Sequence, residues 1–294
     1  MQITKLDAYW QANDFPAQFS NEIYVSEKTA LYFSYRSVFS LKYVARGEEI
    51  YLVDGREMRI KAGNYLLVND GQDVTTIPHS GNEQAMSVFL EPGILADVYR
   101  AWTETASRLA DDPFAEGGTP CFFEMVYRQP DDTLGLFLGR LRQRMTQQMD
   151  LAGQMDLGLF YEIAEQVLKS QTAVFHQIKR IGSARKSTRE ELYRRVSAGR
   201  DYLMDNAGRQ VSLHEVARQS CLSPYYFHRS FQRAFGCSPL RYLKAKKMEK
   251  ACQMLRAGHY TVSAVADALG YADLHSFSKD FKKWEGFPPS IWGR

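Results

Sequence analysis

Two stretches decide the fold: VARQSCLSPYYFHRSFQRAFGCSP at 216–239 and VADALGYADLHSFSKDFKKWEGFPP at 265–289. Set one under the other, they are versions of a single pattern. Val216-Ala217 matches Val265-Ala266, Leu222 matches Tyr271, Phe227 and Phe231 match Phe277 and Phe281, and Gly236 and Pro239 match Gly286 and Pro289. From the phenylalanines onward the offset is 50 residues; before them it is 49, which puts one extra residue in the turn of the second copy. An insertion confined to a turn is how a duplicated unit drifts.

Each copy reads as helix, tight turn, helix. In the first, Ser212 is an N-cap with Glu215 three residues on, a capping box. Ser223 caps the second helix, and Pro224 occupies the first helical position, where its missing N–H costs nothing. Phe227 and Phe231 are i,i+4 and share the buried face. In the second copy, Gly270-Tyr271-Ala272 forms the turn, Asp273 is the cap, and Phe277 and Phe281 point inward. Between the copies, Leu240–Leu255 reads as a basic connecting helix with Leu243, Met248, Cys252 and Leu255 on its apolar side. A solvated helix explains charge equally well. It does not explain a duplicated short-helix, turn, short-helix pattern, whose physical use is to present the second helix to a major groove.

Charge agrees with that reading. From Arg185 to Arg294 there are 20 Lys+Arg and 10 Asp+Glu, a net of +10; the remaining 17 and 24 leave residues 1–184 at −7, for the chain's total of +3. An excess of positive charge confined to one helical segment favours a nucleic-acid partner.

As a set, Val216-Ala217, Leu222-Ser223-Pro224, Phe227-His228-Arg229-Ser230-Phe231, Gly236–Leu243, Leu269-Gly270-Tyr271, Phe277–Lys283 and Gly286–Ser290 resemble the double helix-turn-helix domain of the AraC/XylS class of bacterial transcription regulators. The resemblance covers about a third of the chain, roughly 190–291. It implies two recognition helices set into successive major-groove faces of double-stranded DNA. Carried over residue by residue, it places Tyr225, His228 and Arg229 of the first helix, and Leu274, His275, Ser278 and Lys279 of the second, toward bases. Gln232, Arg233, Lys282 and Lys283 complete the expected DNA-binding set. Two departures matter: Lys279 stands where arginine is common, and Leu274 offers no hydrogen bond. The second helix is therefore expected to contribute positioning and methyl contact more than bidentate readout.

Upstream, many short strands with frequent turns are expected over 22–90. They are Ile23–Val25, Ala30–Tyr35, Leu41–Val44, Glu49–Val53, Glu57–Ile60, Tyr65–Val68 and Met86–Leu90, with Asp54-Gly55 as a hairpin turn. Such a density suggests a sandwich or small barrel. Gly55, five residues, then Lys61-Ala62-Gly63 is similar to a cupin spacing, and the same regulator class often carries an effector-binding cupin-like barrel. A helix is expected from Pro92-Gly93 to about Leu109, a strand at Cys121–Tyr127, and helices at Thr133–Met149 and 156–180. The apolar stripe of the last, Phe160, Ile163, Val167 and Val174, either covers the β domain or carries a dimer contact. Ile181–Thr188 reads as a linker.

The expected fold class is α+β multidomain: a cupin-like domain at 1–110, a helical extension and linker at 111–183, and a tandem helix-turn-helix domain at 184–294. A divalent metal needs several lone-pair donors, and the barrel region has one histidine, His79, so no metal and no cofactor are expected. No nucleophile is paired with a base, so no catalytic residue is expected either. The aromatics Tyr32, Phe33, Tyr35, Tyr43, Tyr51 and Tyr65 are candidates to line a pocket, with about half turned outward by alternation. Arg36, Lys42, Arg46 and Arg59 are candidate anion anchors, with a plain surface role the first reading of each. Cys121, Cys221, Cys237 and Cys252 read as reduced, mostly buried thiols of a cytosolic protein, and neither a secretory leader nor a membrane span is expected. The chain thus reads as a small-molecule-responsive DNA-binding regulator, with RNA polymerase as a further partner if it activates. The alternatives are an effector-independent repressor or architectural DNA-binding protein, or a metal-free cupin-like enzyme.

Overall fold

The computed structural model describes residues 2–6, 15–16, 18–27, 32–77, 81–112, 118, 120–128, 132–147, 156–182 and 185–292. The chain divides into two compact units, Met1–Val174 and Phe175–Arg294.

The first unit is two facing sheets. One has the order β1 (Gln2–Leu6), β2 (Glu22–Glu27), β9 (Gln84–Leu90), β4 (Phe39–Arg46), β7 (Asn64–Val68), β10 (Val126–Arg128); the other runs β3 (Phe33–Arg36), β8 (Asp73–Ile77), β5 (Glu48–Val53), β6 (Arg56–Lys61). Val44, Leu66, Val68 and Ala85 of the first sheet pack on Tyr51, Val53, Ile60 and Val74 of the second. Because side chains alternate along a strand, this contact fixes which face of each strand points inward. The Asp54-Gly55 hairpin forms as expected: both residues have positive φ (48° and 76°), and Val53 pairs with Arg56 across the turn.

Three expectations are corrected. Strands β8 and β1 are absent from the expected set, although Val74-Thr75-Thr76-Ile77 of β8 are all β-branched. Only Val74 of β8 is fully buried, so it lacks alternation, and β1 pairs in parallel with β2, without a hairpin turn to announce it. The expected strand at Cys121–Tyr127 reduces to Val126–Arg128. Phe122 and Phe123 are buried through side-chain partners instead: their backbone N–H groups donate to Asn69 Oδ1 (2.8 Å) and Gln171 Oε1 (2.9 Å). The helix opened by Pro92 stops at Thr103, because Thr105 caps a separate helix by accepting from the Arg108 N–H. In chain order these are α1 (Pro92–Thr103) and α2 (Ala106–Asp111), followed by α3 (Thr133–Gln147) and α4 (Leu157–Arg180).

The apolar stripe of α4 is covered within the chain. Phe160, Ile163 and Val167 are wholly inaccessible and Val174 nearly so, which leaves the stripe no surface for a dimer contact. Ser170 and Gln171 of the same helix hydrogen-bond Tyr65 (3.4 Å) and Tyr127 (3.0 Å) of the β domain.

The second unit contains the last turns of α4 and then α5 (Lys186–Asp205), α6 (Leu213–Gln219), α7 (Pro224–Phe235), α8 (Pro239–Arg256), α9 (Val262–Ala268), α10 (Leu274–Glu285) and a single 3-10 turn at Pro289–Ile291. The boundary lies upstream of the expected linker because residues after it already bind back: Tyr193 donates to Gln177 (2.6 Å), and Arg233 donates to the Ile181 carbonyl (3.1 Å). No described helix is long and apolar enough to cross a membrane. Of the four thiols only Cys252 is buried. Cys121 and Cys221 are exposed, and each lies outside helix and strand.

Candidate recognition face and barrel cavity

The two helix-turn-helix units repeat down to their caps. Ser212 Oγ accepts from Glu215 N–H at the start of α6, and Thr261 Oγ1 accepts from Ala264 N–H at the start of α9. Ser223 caps α7 through Tyr226 N–H (3.3 Å), and Asp273 caps α10 through Ser276 N–H (2.7 Å). Both second helices end on a left-handed glycine, Gly236 (φ 77°) and Gly286 (φ 90°), which closes the last turn at no steric cost. Glu215 completes its capping box by accepting from the Ser212 backbone. Its carboxyl is held down at about 2, first by a hydrogen bond from Arg209 and then by one from Tyr202.

The buried faces match as well. Phe227 and Phe231 lie 5.5 Å apart at 56°, Phe277 and Phe281 5.7 Å apart at 51°, and all four are inaccessible to solvent. The first pair rests on α5, where Gly199 leaves room. A Cβ there would stand 2.4 Å from the Phe227 ring, which accounts for a glycine inside a helix. The second pair rests on Met248, Ala251 and Cys252 of α8, and Trp292 closes the far side with its ring 5.7 Å from Phe281.

With the phenylalanines inward, the residues expected to face DNA fall on the opposite side. On α7, Tyr225 is 72% exposed, Arg229, Gln232 and Arg233 are exposed, and His228 is half-buried. On α10, Leu274, His275, Lys279, Lys282 and Lys283 are exposed and Ser278 is half-buried. Arg233 differs from the others, because part of its guanidinium is committed to the Ile181 carbonyl.

The first unit holds a cavity between its sheets, with about 550 Å³ of space free of protein atoms, its open mouth included. It is lined by Leu6, Phe15, Phe19, Tyr24, Ser26, Phe33, Tyr35, Glu49, Tyr51, Thr76, Ser87 and Phe89. The wall is largely aromatic: Phe19 stacks on Phe89 (4.0 Å, 5°) and Phe15 on Phe33 (4.3 Å, 19°). Tyr51 donates to Glu49 Oε2 (2.6 Å). Burial pushes the Glu49 carboxyl up to about 7, against the opposing pull of that hydrogen bond and of Lys42.

Of the aromatics singled out in the sequence, Phe33, Tyr35 and Tyr51 line this cavity. Tyr32 is exposed. Tyr43 and Tyr65 are buried elsewhere, Tyr65 stacked on Tyr127 and donating to Asp132. Lys42 is a correction: read as a surface residue, it is only 1% exposed. Its ammonium lies 3.8 Å from the centre of the Phe89 ring and 5.3 Å from that of Tyr35, and desolvation lowers its pKa to about 7. Arg36, Arg46 and Arg59 are on the surface as expected. The sequence reading missed Phe15, Phe19, Tyr24, Glu49 and Phe89. A usable signal was Ser40-x-Lys42-x-Val44, a lysine in step with inward residues of an otherwise apolar strand. His79 lies outside the described residues, and among those no cluster of three metal-ligating side chains occurs.

Residues 35–152 match the family described as AraC-like ligand binding domain, and residues 216–294 match the one described as Helix-turn-helix domain. The uncharacterized HTH-type transcriptional regulator YobQ of Bacillus subtilis is 28% identical over 104 residues, 35% of this chain and 43% of that protein. The MmsAB operon regulatory protein of Pseudomonas aeruginosa is 30% identical over 91 residues, 31% of this chain and 30% of that protein. The chain thus spans less than half the length of these two curated relatives. Among solved structures, the C-terminal domain of AraT, a response regulator from Geobacillus stearothermophilus, is 30% identical, with 34% of this chain and 84% of that one covered and a TM-score of 0.33. An AraC-like ligand binding domain followed in one chain by a helix-turn-helix domain, with the tandem repeat laid out above, means that this chain belongs to the AraC family of transcription regulators.

Proposed function

We propose that the chain binds specific duplex DNA through α7 and α10, and that a small molecule entering the barrel cavity changes this binding. The observation that carries the reading is the repeat itself. Two helices with the same caps, the same buried phenylalanine pair and the same glycine stop each turn a polar face outward, on a segment of net charge +10. On α7, Arg229 has the planar fork to bind a guanine edge, with Tyr225 and His228 beside it. On α10, Leu274 meets a thymine methyl group, His275, Ser278 and Lys279 reach nearby bases or phosphates, and Lys282 and Lys283 hold the backbone. Gln232 and Arg233 add contacts at the rim of α7.

In this reading the protein works in the cytoplasm as a non-enzymic activator that needs no cofactor and touches RNA polymerase. A homodimer would use a face other than the covered stripe of α4. The domain organisation that goes with it is an effector-binding barrel at 1–110, a helical extension at 111–183 and a DNA-binding domain at 184–294.

The test is selection of bound duplexes from random DNA by the full chain, followed by a screen of metabolites for altered affinity at the selected site. A true effector obeys reciprocal linkage, so it binds the protein with a different affinity when the operator is present. Recovery of no sequence preference removes the reading. A preference that no metabolite changes leaves an effector-independent repressor or architectural protein.

A further inference from the structure

The outward face of α10 is held in place from its flank; this inference rests on the reading of α7 and α10 as the DNA-binding helices. Asp280 stands three positions after Phe277 and one before Phe281, at the edge of the face that α10 turns to the connecting helix α8. Both of its carboxylate oxygens are engaged. Oδ1 pairs with Lys244 Nζ of α8 (2.6 Å), and Oδ2 accepts from the Tyr271 hydroxyl (3.3 Å). Lys244 lies one turn before Met248 and two before Cys252, on the stripe of α8 against which Phe277 and Phe281 rest. Tyr271 belongs to the turn between α9 and α10. Its ring meets Phe277 edge-on (5.3 Å, 69°), and the Lys247 ammonium of α8 lies 5.5 Å from its centre. One carboxylate thus joins the connecting helix, the turn and the second recognition helix. The first copy carries Leu222 and a buried Ser230 at the matching positions, which cannot build the same junction.

The magnitudes decide what this junction is for. The side chains of Lys244 and Asp280 remain 44% and 29% exposed, and an ion pair so open to water adds little to stability. The buried phenylalanines hold α10 down without it, but apolar contact is non-directional and fixes rotation about the helix axis only loosely. Hydrogen bonds have preferred directions, so two of them on one flank select a single rotation. A carboxylate beside the base-facing Lys279 would otherwise repel phosphates; the Lys244 ammonium neutralises it. We propose that Asp280 is a positioning residue: with Lys244 and Tyr271 it fixes the rotation of α10 on α8, and so sets where His275, Ser278 and Lys279 meet the major groove relative to the residues of α7. Lys244, although basic and on the DNA-binding domain, is then a brace and not a phosphate contact.

The experiment measures binding of the full chain and of Asp280→Ala, Lys244→Met and the double variant to the selected duplex, to each of its single-base variants and to unrelated duplex DNA, over a range of salt. Asp280→Ala removes a negative charge from a DNA-facing helix, so a role through charge alone predicts tighter binding to every duplex. A positioning role predicts the opposite sign. The selected duplex should be bound roughly threefold or more weakly, with preferences flattened at one end of the site only, because the two recognition helices read separate groove segments. Lys244→Met should flatten the same base pairs and leave the salt slope unchanged, and the double variant should be no worse than either single one. If Asp280→Ala fails to fold, Lys244→Met decides by itself. A uniform change on every duplex, losses that add in the double variant, or a salt slope that drops by about one unit in Lys244→Met each overturns the proposal. A natural chain that selects no sequence removes the DNA reading and this inference with it. A natural chain whose preferences both variants keep intact removes this inference alone.

Discussion

The first and second helix-turn-helix units share their caps, their phenylalanine pairs and their glycine stops, yet they differ at the one residue that makes each turn. Both turns need a left-handed residue. The first uses Cys221 (φ 50°), and the second uses Gly270 (φ 68°). Cys221 is exposed, so its side chain has somewhere to go. At Gly270 a Cβ would stand 2.3 Å from the Gly208 carbonyl oxygen, in the connection between α5 and α6. The first turn thus tolerates a side chain at an energetic cost, whereas the second is pressed against backbone and accepts none. A repeated motif keeps its internal contacts in both copies, and its outer contacts decide which substitutions each copy permits.

The largest expected effects test the shared part. Phe227→Ala and Phe277→Ala each remove a wholly buried ring and should cost about 3–5 kcal/mol. Urea unfolding followed by tryptophan fluorescence measures this, since Trp284 and Trp292 both lie in the second unit's half of the domain. If one variant loses under about 1 kcal/mol, the two cores are not equivalent and the comparison fails at its base.

Next is the turn of the second unit. Gly270→Ala combines a left-handed alanine with a collision against backbone and should cost about 2–4 kcal/mol. The same unfolding measurement checks it; an effect near zero would mean that the Gly208 connection yields freely.

The third prediction concerns the two outward faces under the proposed function. Arg229→Ala should flatten preference at one or two adjacent base pairs by about 1–3 kcal/mol. Lys282→Ala should weaken all sequences alike and reduce the salt slope by about one unit. Binding to the selected site and to each single-base variant at fixed salt separates them. If Arg229→Ala weakens every sequence by the same factor, α7 positions the protein and does not read bases.

The smallest effect is at the first turn. Cys221→Gly relieves about 1–2 kcal/mol of left-handed strain and adds about 0.5–1 kcal/mol of chain entropy. A net stabilisation of about 0.5–1 kcal/mol is therefore expected. Destabilisation would mean that the Cys221 side chain makes a stabilising contact, and that the two turns are less alike than their backbones.

How much of this was legible in the sequence follows from the range of the interactions involved. Caps, turns and i,i+4 pairs are local. Ser212, Ser223, Asp273, the four phenylalanines and Asp54-Gly55 therefore announced their roles by type and spacing alone, and the outward residues of α7 and α10 followed by subtraction. Strand β1 did not announce itself, because its stability comes from a parallel partner with no hairpin turn between them, and β8 offered a β-branched run, Val74–Ile77, without the alternation that marked the other strands. The separate cap at Thr105 and the anchoring of Phe122 and Phe123 by Asn69 and Gln171 were hidden for the same reason.

The amino-acid sequence by itself determined the duplicated helix-turn-helix units, their registers and the residues they turn outward, since each depends on neighbours within a few positions. Only the tertiary structure decided the cavity and its chemistry. Tyr24, Glu49 and Phe89 line one cavity because two sheets close on each other, and Lys42 is buried because the face of β4 that carries it is the inner one. Lysine on a strand is ordinarily solvated. What removes its water is the opposite sheet, whose approach no local pattern encodes.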